Sequence, residues 1–584
     1  MKTELNKETT VPSPPSGGRG ISGSEMLLRA LISEGGTTIF GYPGGAIMPV
    51  YDALYGYADQ LTHILVRHEQ AAIHAAQGFA RTSGKVGVAL ATSGPGATNL
   101  ITGLADAMAD STPVVCITGQ VAAHLLGTDA FQETDVINIS LPVTKWNIQV
   151  TRAADIPDAV AKAFFIAKTG RPGPVLIDIT KNAQIELANY KYAPCKKIKT
   201  YVPKPELNGL AVMEAAKLIN SAERPFILAG QGIILSEAGE ALVRFAEKGG
   251  IPIASTLLGL GCVPKDHPLY VGYLGMHGNY STNINTNKCD VIIAVGMRFD
   301  DRVTGNVSKY ATQARVIHIE IDDSEINKII RAEVAVHADA KEALTLLTEY
   351  IDRKDHLDWL EAFKILDEQE KQIVCDDCHP KTGMPKMGEV IRNLADLTSG
   401  EAVVVTDVGQ HQMVTSRYYP YKNPRSNVTS GGLGTMGFAL PAAMGAKLGA
   451  MEKQVVAVIG DGGFQMTLQE LGTIMQYKIP VKIIILNNKF LGMVRQWQQL
   501  FFEKRYSFTE MTNPDFIAIA KAYSIPARKV EDRVDLNEAL QEMLDEPGPY
   551  FLEVVVEQEE NVFPMVPTGA GVGDIILAPT IPLT

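Results

Sequence analysis

Gly460-Asp461-Gly462 is followed by Asn487-Asn488 after 24 intervening residues. The apolar run Val455–Ile459 leads into the first group, and Val481–Leu486 leads into the second. Between them lie a loop and a helical pattern over Leu468–Tyr477. Such a crossover sets the ends of two parallel strands side by side, at the edge where α/β sheets hold ligands. A carboxylate and an amide oxygen there suit a hard cation such as Mg²⁺. The glycines admit close backbone approach to a phosphate, and the helix start offers N–H groups to it. Glu69 follows strand Thr62–Val66 and opens a helix, where a carboxylate taken alone reads as a favourable partner of the helix dipole.

These residues need elements to position them, and the chain reads as three blocks of alternating strands and helices. At about 150 residues per domain, 584 residues predict three to four domains. The first block, 21–190, has short unalternating apolar runs at Thr37–Phe40, Thr62–Val66, Val86–Ala91, Pro113–Thr118 and Val175–Ile179, as strands covered on both faces should. A Lys/Pro/Tyr-rich linker, 191–206, leads to a second block at 207–350. That block has a helix at Ala211–Ser221 and strands at Phe226–Ala229, Val291–Val295 and Val316–Ile319. A partly helical linker, 351–386, precedes the third block, 387–560, and 561–584 is a tail of irregular coil. Residues 1–20 are polar and Pro/Gly-rich, and read as a flexible tail. The expected fold class is therefore α/β, with three consecutive parallel-sheet domains. The first and third blocks share a strand-turn-helix texture that suggests a duplicated architecture.

Composition excludes other classes. The apolar fraction is 46% and the charged fraction 20%, so the chain is neither disordered nor fibrous. A net charge of −12 leaves no global footprint for nucleic acid. Six cysteines are too few for a disulfide scaffold. No apolar run reaches the roughly 18 residues of a membrane helix, and no apolar signal core opens the chain, so a cytoplasmic protein is expected. Two strings are decoys. Gly432-Leu433-Gly434-Thr435-Met436-Gly437 is a formal GxGxxG, but the run before it, Asn423–Ser430, is too polar to predict a strand. Cys375-Asp376-Asp377-Cys378-His379 spells a haem-attachment string, but haem attachment needs export and no signal-peptide pattern is visible, so no haem is expected.

The spacing from Gly460 to Asn488 resembles the thiamine diphosphate motif. The resemblance extends to nearly the whole chain, and narrows to the catalytic (large) subunits of acetohydroxyacid synthases, also called acetolactate synthases. It is carried by the runs Gly41–Ala46, Val66–Ala72, Thr92–Asn99, Gly127–Glu133, Gly170–Val175, Arg298–Gly305, Gly409–Met413, Gly431–Gly437 and Gly492–Trp497. The Arg298–Gly305 run and Trp497 favour this enzyme over a pyruvate oxidase or a catabolic synthase that lacks FAD.

The resemblance implies three α/β domains: pyrimidine-binding, central FAD-binding and diphosphate-binding. It implies Mg²⁺ on Asp461, Asn488 and the carbonyl of Phe490. Glu69 would be the catalytic acid against N1′ of the cofactor. Thiamine diphosphate would further touch Val408, Gly409, Gln410, His411, Gly434, Met436, Gly460, Gly462, Gly463, Gly492 and Met493. Met436 would hold the cofactor bent. FAD, structural rather than redox-active, would lie on Arg171, Gly230, Gln231, Gly232, Met276, His277, Gly278, Gly296, Arg298, Glu320, Asp322 and Asp339. Arg302 would take the carboxylate of a 2-oxoacid, as a guanidinium fork suits. Gly45, Ala46, Phe131, Gln132, Asp301, Met493 and Trp497 would complete the substrate pocket. The implied activity joins pyruvate to a second 2-oxoacid, pyruvate or 2-oxobutyrate, in branched-chain amino-acid biosynthesis. The implied assembly is a homodimer or homotetramer with a small regulatory subunit. No nucleic acid or membrane partner is expected.

Overall fold

The computed structural model describes residues 20–375 and 383–578. Cys378, His379, nearly all of the N-terminal tail, the last six residues and the side chain of Cys375 lie outside the described residues. Three six-stranded parallel sheets, each flanked by helices, follow one another along the chain.

The N-terminal sheet runs, edge to edge, Thr62–Leu65, Thr38–Gly41, Gly87–Ala91, Val114–Gln120, Pro174–Thr180, Trp146–Val150. The C-terminal sheet runs Asn427–Thr429, Val403–Thr406, Val455–Gly460, Lys482–Asn487, Tyr550–Val555, Ala527–Val530. Counted within each domain, both orders are 2-1-3-4-6-5, so the shared texture of the two blocks is a shared topology. The central sheet runs Tyr270–Tyr273, Ile253–Ser255, Pro225–Ala229, Val291–Val295, Arg315–Glu320, Val334–His337. Its order, 3-2-1-4-5-6, is that of dinucleotide-binding sheets. Strands such as Val455–Gly460 and Lys482–Asn487 are buried along their whole length, because helices cover both faces.

The outer two domains share one apolar core. Helices Glu69–Ser83 and Ala439–Gly449 cross there in backbone contact. A Cβ on Gly78 would lie 1.9 Å from Ala442 O, and one on Gly445 would lie 1.8 Å from Ala75 O. Between the central and C-terminal domains, helix Leu357–Glu370 buries Trp359 and Phe363 beside Phe226. The segment after Pro564 folds back on the central domain through bridge Gly305–Gly571 and through Val566 N, which donates to Met276 O at 2.8 Å. Among the described residues no helix is long and apolar enough to cross a membrane.

Two expectations are corrected. No loop follows Val455–Gly460: a helix, Asp461–Thr467, begins at once, and a 3-10 turn leads into Leu471–Tyr477. Asp461 is thus a first-turn residue, its backbone already helical. The polar run before Gly432 does contain a strand, Asn427–Thr429, paired in parallel with Val403–Thr406. Its three residues gain burial from the neighbouring strand and helices, which local polarity does not reveal.

Candidate functional site

Open α/β sheets bind ligands where the strand order reverses. In the C-terminal sheet this point lies between Val403–Thr406 and Val455–Gly460. The chain leaves the first strand as Asp407-Val408-Gly409-Gln410-His411 and the second as Asp461-Gly462-Gly463. Asp461 is 1% exposed and Asn488 3% exposed. Burial pushes the Asp461 carboxyl up to about 6, against a hydrogen bond to Oδ2 from Asn513 Nδ2 at 2.7 Å. Asn513 Nδ2 also donates to Asn487 Oδ1 at 3.1 Å. Gln410 Oε1 accepts from Asn488 Nδ2 at 3.3 Å. Gln410 Nε2 donates to Gln496 Oε1 at 2.9 Å and to Glu560 O at 2.8 Å, so Gln410 buttresses Asn488.

The glycines are needed for space. A Cβ on Gly460 would meet His411 at 2.9 Å, one on Gly463 would meet Asp407 Oδ1 at 2.7 Å, and one on Gly492 would meet Gln410 Oε1 at 2.2 Å. His411 is buried, with Nε2 unpartnered. A buried carboxylate and an amide oxygen at the ends of neighbouring strands are hard-oxygen donors of the type that fits Mg²⁺, with Asn488 Oδ1 accepting from Phe490 N at 3.1 Å.

The central sheet reverses between Pro225–Ala229 and Val291–Val295, which end at Gly230-Gln231-Gly232 and Gly296-Met297-Arg298. A Cβ on Gly230 would lie 2.1 Å from Gly296 O, so the two turns touch. Beside them opens a cavity of about 1030 Å³. This is the upper end of the roughly 300–1,000 Å³ of ligand sites. Arg171, Gln231, Gly232, Met276, His277, Gly296, Arg298, Glu320 and Asp339 line it. Arg171 pairs with Asp322 at 3.1 Å and Glu325 at 2.9 Å. Glu320 turns onto the N–H groups of Ile321 and Asp322, and burial pushes it up to about 7. Asp322 caps the next turn through Ser324 N. Asp339 is the N-cap of Ala340–Tyr350. Gly278 packs behind the lining, its amide bonded to Gly275 O at 2.8 Å. The size and the paired switch-point turns fit a dinucleotide.

The same cavity continues onto the C-terminal domain, where Val408, Gly409, Gly434, Met436, Met493 and Trp497 line it, and it takes in Asp301 and Arg302. The Arg302 side chain is 59% exposed, and its nearest carboxylate, Asp301, stands 3.7 Å away. Trp497 Nε1 has no partner, and its ring meets Phe501 edge-on at 6.2 Å.

Apart from Arg171, the N-terminal candidates lie outside this cavity. Glu69 is 9% exposed and accepts from Asn99 Nδ2 at 3.0 Å, and Gly96 leaves it room. Ala46 is held through Thr92 Oγ1 at 3.3 Å and Gln184 Nε2 at 2.8 Å, beside exposed Gly45. Phe131 is 88% exposed, and Gln132 has φ +59°. Within one chain a single cavity gathers Arg171, most central candidates and Val408, Gly409, Gly434, Met436, Met493 and Trp497, and leaves Glu69, Gly45, Ala46, Phe131 and Gln132 outside it.

Sequence reasoning missed Asn513 and Asp407. Fully buried Asp407 accepts from Val408 N, Gly437 N and Ala439 N. Neither residue belongs to a spaced motif, although Asp407 directly precedes the Val408–His411 segment.

Two sheets of one topology flank a dinucleotide-type sheet, and the buried Asp461 opens the helix after a C-terminal strand. This is the arrangement of a thiamine diphosphate enzyme of three α/β domains. Family models agree: thiamine pyrophosphate enzyme N-terminal TPP binding domain over 21–139, central domain over 212–347, and C-terminal TPP binding domain over 407–554. The chain is 45% identical to the probable acetolactate synthase large subunit of Methanocaldococcus jannaschii, covering 95% of each chain. It is 44% identical to acetolactate synthase isozyme 2 large subunit of Escherichia coli, covering 95% of this chain and 99% of that one. It is 42% identical to the chloroplastic acetolactate synthase 1 of Nicotiana tabacum, over 98% of this chain and 87% of that one. The chain belongs to the acetolactate synthase large-subunit family.

Proposed function

We propose that this chain decarboxylates pyruvate and joins the two-carbon unit to a second 2-oxoacid. Pyruvate gives 2-acetolactate and 2-oxobutyrate gives 2-aceto-2-hydroxybutyrate, the first common step of branched-chain amino-acid biosynthesis. The observation that carries the reading is the continuous cavity. It runs from the central switch point past Arg302 and Trp497 to Val408, Gly409 and Met436, which border the Asp461–Asn488 edge.

Thiamine diphosphate, when bound, supplies a nucleophilic carbon and an electron sink for the carbon dioxide-releasing step. Asp461, Asn488 and the Phe490 carbonyl would hold its Mg²⁺, and Gly462, Gly463 and His411 would face the diphosphate. Met436 would give the cofactor an apolar support. Arg302 orients the incoming 2-oxoacid by its carboxylate, and Trp497 with Met493 gives an apolar wall to the second substrate's side chain. Glu69 holds and returns a proton at N1′. Since Glu69 and Phe131 sit outside the cavity of their own chain, they would serve a second copy, which makes a homodimer the minimum working unit. FAD would fill the central part as a structural group, against Arg171 and the Gly230–Gly232 and Gly296–Arg298 turns. The large-subunit names of the relatives support a smaller regulatory partner.

The test is carboligation by the purified chain with pyruvate, thiamine diphosphate, Mg²⁺ and FAD, with and without oxygen. Acetolactate is read as acetoin after acid decarboxylation. Oxygen-independent product is expected. Pyruvate consumption that tracks oxygen, with acetate or acetyl phosphate as product, would overturn the reading.

A further inference from the structure

Asp110 caps the C-terminus of helix Ile101–Ala109 in the N-terminal domain, yet its carboxylate serves the C-terminal domain. It accepts from two successive main-chain amides there, Gly431 N to Oδ2 at 2.8 Å and Gly432 N to Oδ1 at 2.7 Å. Arg81 Nη2 donates to Oδ2 at 2.8 Å, and Arg81 Nη1 reaches the carbonyl of Thr429. One helical turn earlier, Asp106 accepts from Ser430 Oγ and from Thr435 Oγ1, the latter at 3.2 Å. Ser430 Oγ in turn accepts from Thr435 N at 2.8 Å. All three charged side chains are buried, Asp106 and Asp110 completely.

The segment so gripped ends at Met436. On its other side Asp407 takes Gly437 N and Ala439 N, each at 3.0 Å. Met436 therefore stands between two carboxylate clamps, one from each domain. The segment needs them. Gly434 has φ +72° and Gly437 φ +85°, and glycine at such positions leaves an unclamped loop many alternatives. A seam that only joined domains would do so at lower cost with apolar side chains, because burying charge is expensive. Directional bonds to successive backbone amides fix a conformation instead.

The structure assigns Asp110, with Arg81 and Asp106, a positioning role: the N-terminal domain holds the Thr429–Thr435 backbone so that Met436 of the same chain faces the cavity in one place. This deepens the reading above and rests on it, since Met436 acts there on bound thiamine diphosphate.

Asp110→Asn is the test. It preserves shape and turns one accepting oxygen into a donor that faces an N–H or Arg81. In the folded variant kcat should fall roughly 10- to 100-fold, as small misplacements at a reacting centre do. KM for pyruvate should stay near wild type, because Arg302 is untouched. The circular-dichroism band of the bound cofactor's imino tautomer should weaken. Combined with Met436→Ala, the loss should be less than the product of the two single losses, as for residues acting as a unit. If Asp110→Asn does not fold, Thr435→Val and Ser430→Ala decide, with smaller losses in kcat and in the same band. Wild-type kcat and band in the folded variants, or losses that simply multiply with Met436→Ala, overturn the assignment. Should the wild-type chain bind the cofactor yet make no acetolactate, the functional reading fails by itself. The band in wild type against Asp110→Asn then still decides the positioning role.

Discussion

Glu470 accepts the main-chain N–H of Arg67 at 3.0 Å, so a buried carboxylate of the C-terminal domain grips the chain two residues before Glu69. Thr473 Oγ1 donates to the same carboxylate at 2.7 Å. The two domains thus hold each other's chemistry: Glu470 fixes the entry to the Glu69 helix, and Asp110 fixes the approach to Met436.

Burial pushes Glu470 from 4.5 up to about 7. Between these values the folded chain keeps a proton that the unfolded chain releases, so this group's contribution to stability falls as pH rises through that window. At about 1.4 kcal/mol per pH unit it amounts to at most about 3.5 kcal/mol. Glu470→Gln keeps an acceptor for Arg67 N, and its amide can donate to Thr473 Oγ1 while that hydroxyl donates to Leu65 O, which stands at 3.3 Å. The melting temperature of the cofactor-free variant, relative to wild type, should therefore climb between about pH 4.5 and about pH 7 and level off above. A difference independent of pH would refute this.

Glu69→Gln keeps an oxygen for Asn99 and should leave folding and cofactor affinity near wild type. Proton transfer by a placed side chain contributes about 10²–10⁴-fold, and kcat should drop by that order. Calorimetric cofactor binding beside a carboligation assay separates the two effects. Turnover like that of wild type would sink the acid's role.

Asp461→Asn removes the only formal charge of the proposed cation set. Cofactor affinity should fall at least tenfold and lose most of its dependence on Mg²⁺. Asn513→Ala frees Asp461 Oδ2 and should weaken metal-dependent binding by roughly 10–100-fold, as loss of a ligand's hydrogen-bond partner does. Titrating Mg²⁺ into chelator-stripped protein measures both. An unchanged metal dependence in Asp461→Asn would move the cation elsewhere.

Arg171→Met leaves Asp322 and Glu325 without their shared cation at the edge of the cavity. The flavin retained per chain after gel filtration should fall, and added FAD should restore oxygen-independent carboligation. Full flavin occupancy in the variant would remove Arg171 from the site.

Trp497→Leu takes away the aromatic wall. Contact with one extra methylene is worth roughly 10–200-fold, and most of the preference for 2-oxobutyrate over pyruvate as second substrate should vanish. Competition between the two acids, with both products measured, reads the ratio. A preserved ratio would assign the choice to other walls.

How much was legible in the sequence depended on range. Lys482–Asn487 was visible through its apolar stretch Ile483–Leu486, as a strand covered on both faces shows, and Glu69 through the resemblance, since its place at a helix start alone reads as a helix-dipole preference. Asn427–Thr429 was not, since its burial comes from distant neighbours. Asn513 reaches Asp461 across 52 residues, and Asp106 reaches Ser430 across 324. Lone Asn and Asp residues in loops and helix ends carry no spacing signal.

The chain's own order of residues determined the three α/β blocks, the glycine turns at strand ends and the resemblance that named their cofactors, because these rest on local periodicity and on short, fixed spacings. Tertiary structure alone decided the strand orders, and with them which turns meet at a switch point. It also decided which buried carboxylates clamp which loop, and that Glu69 lies apart from the cavity of its own chain. Those relations arise when distant segments pack and their polar groups must find partners away from water, and no local pattern encodes that pairing.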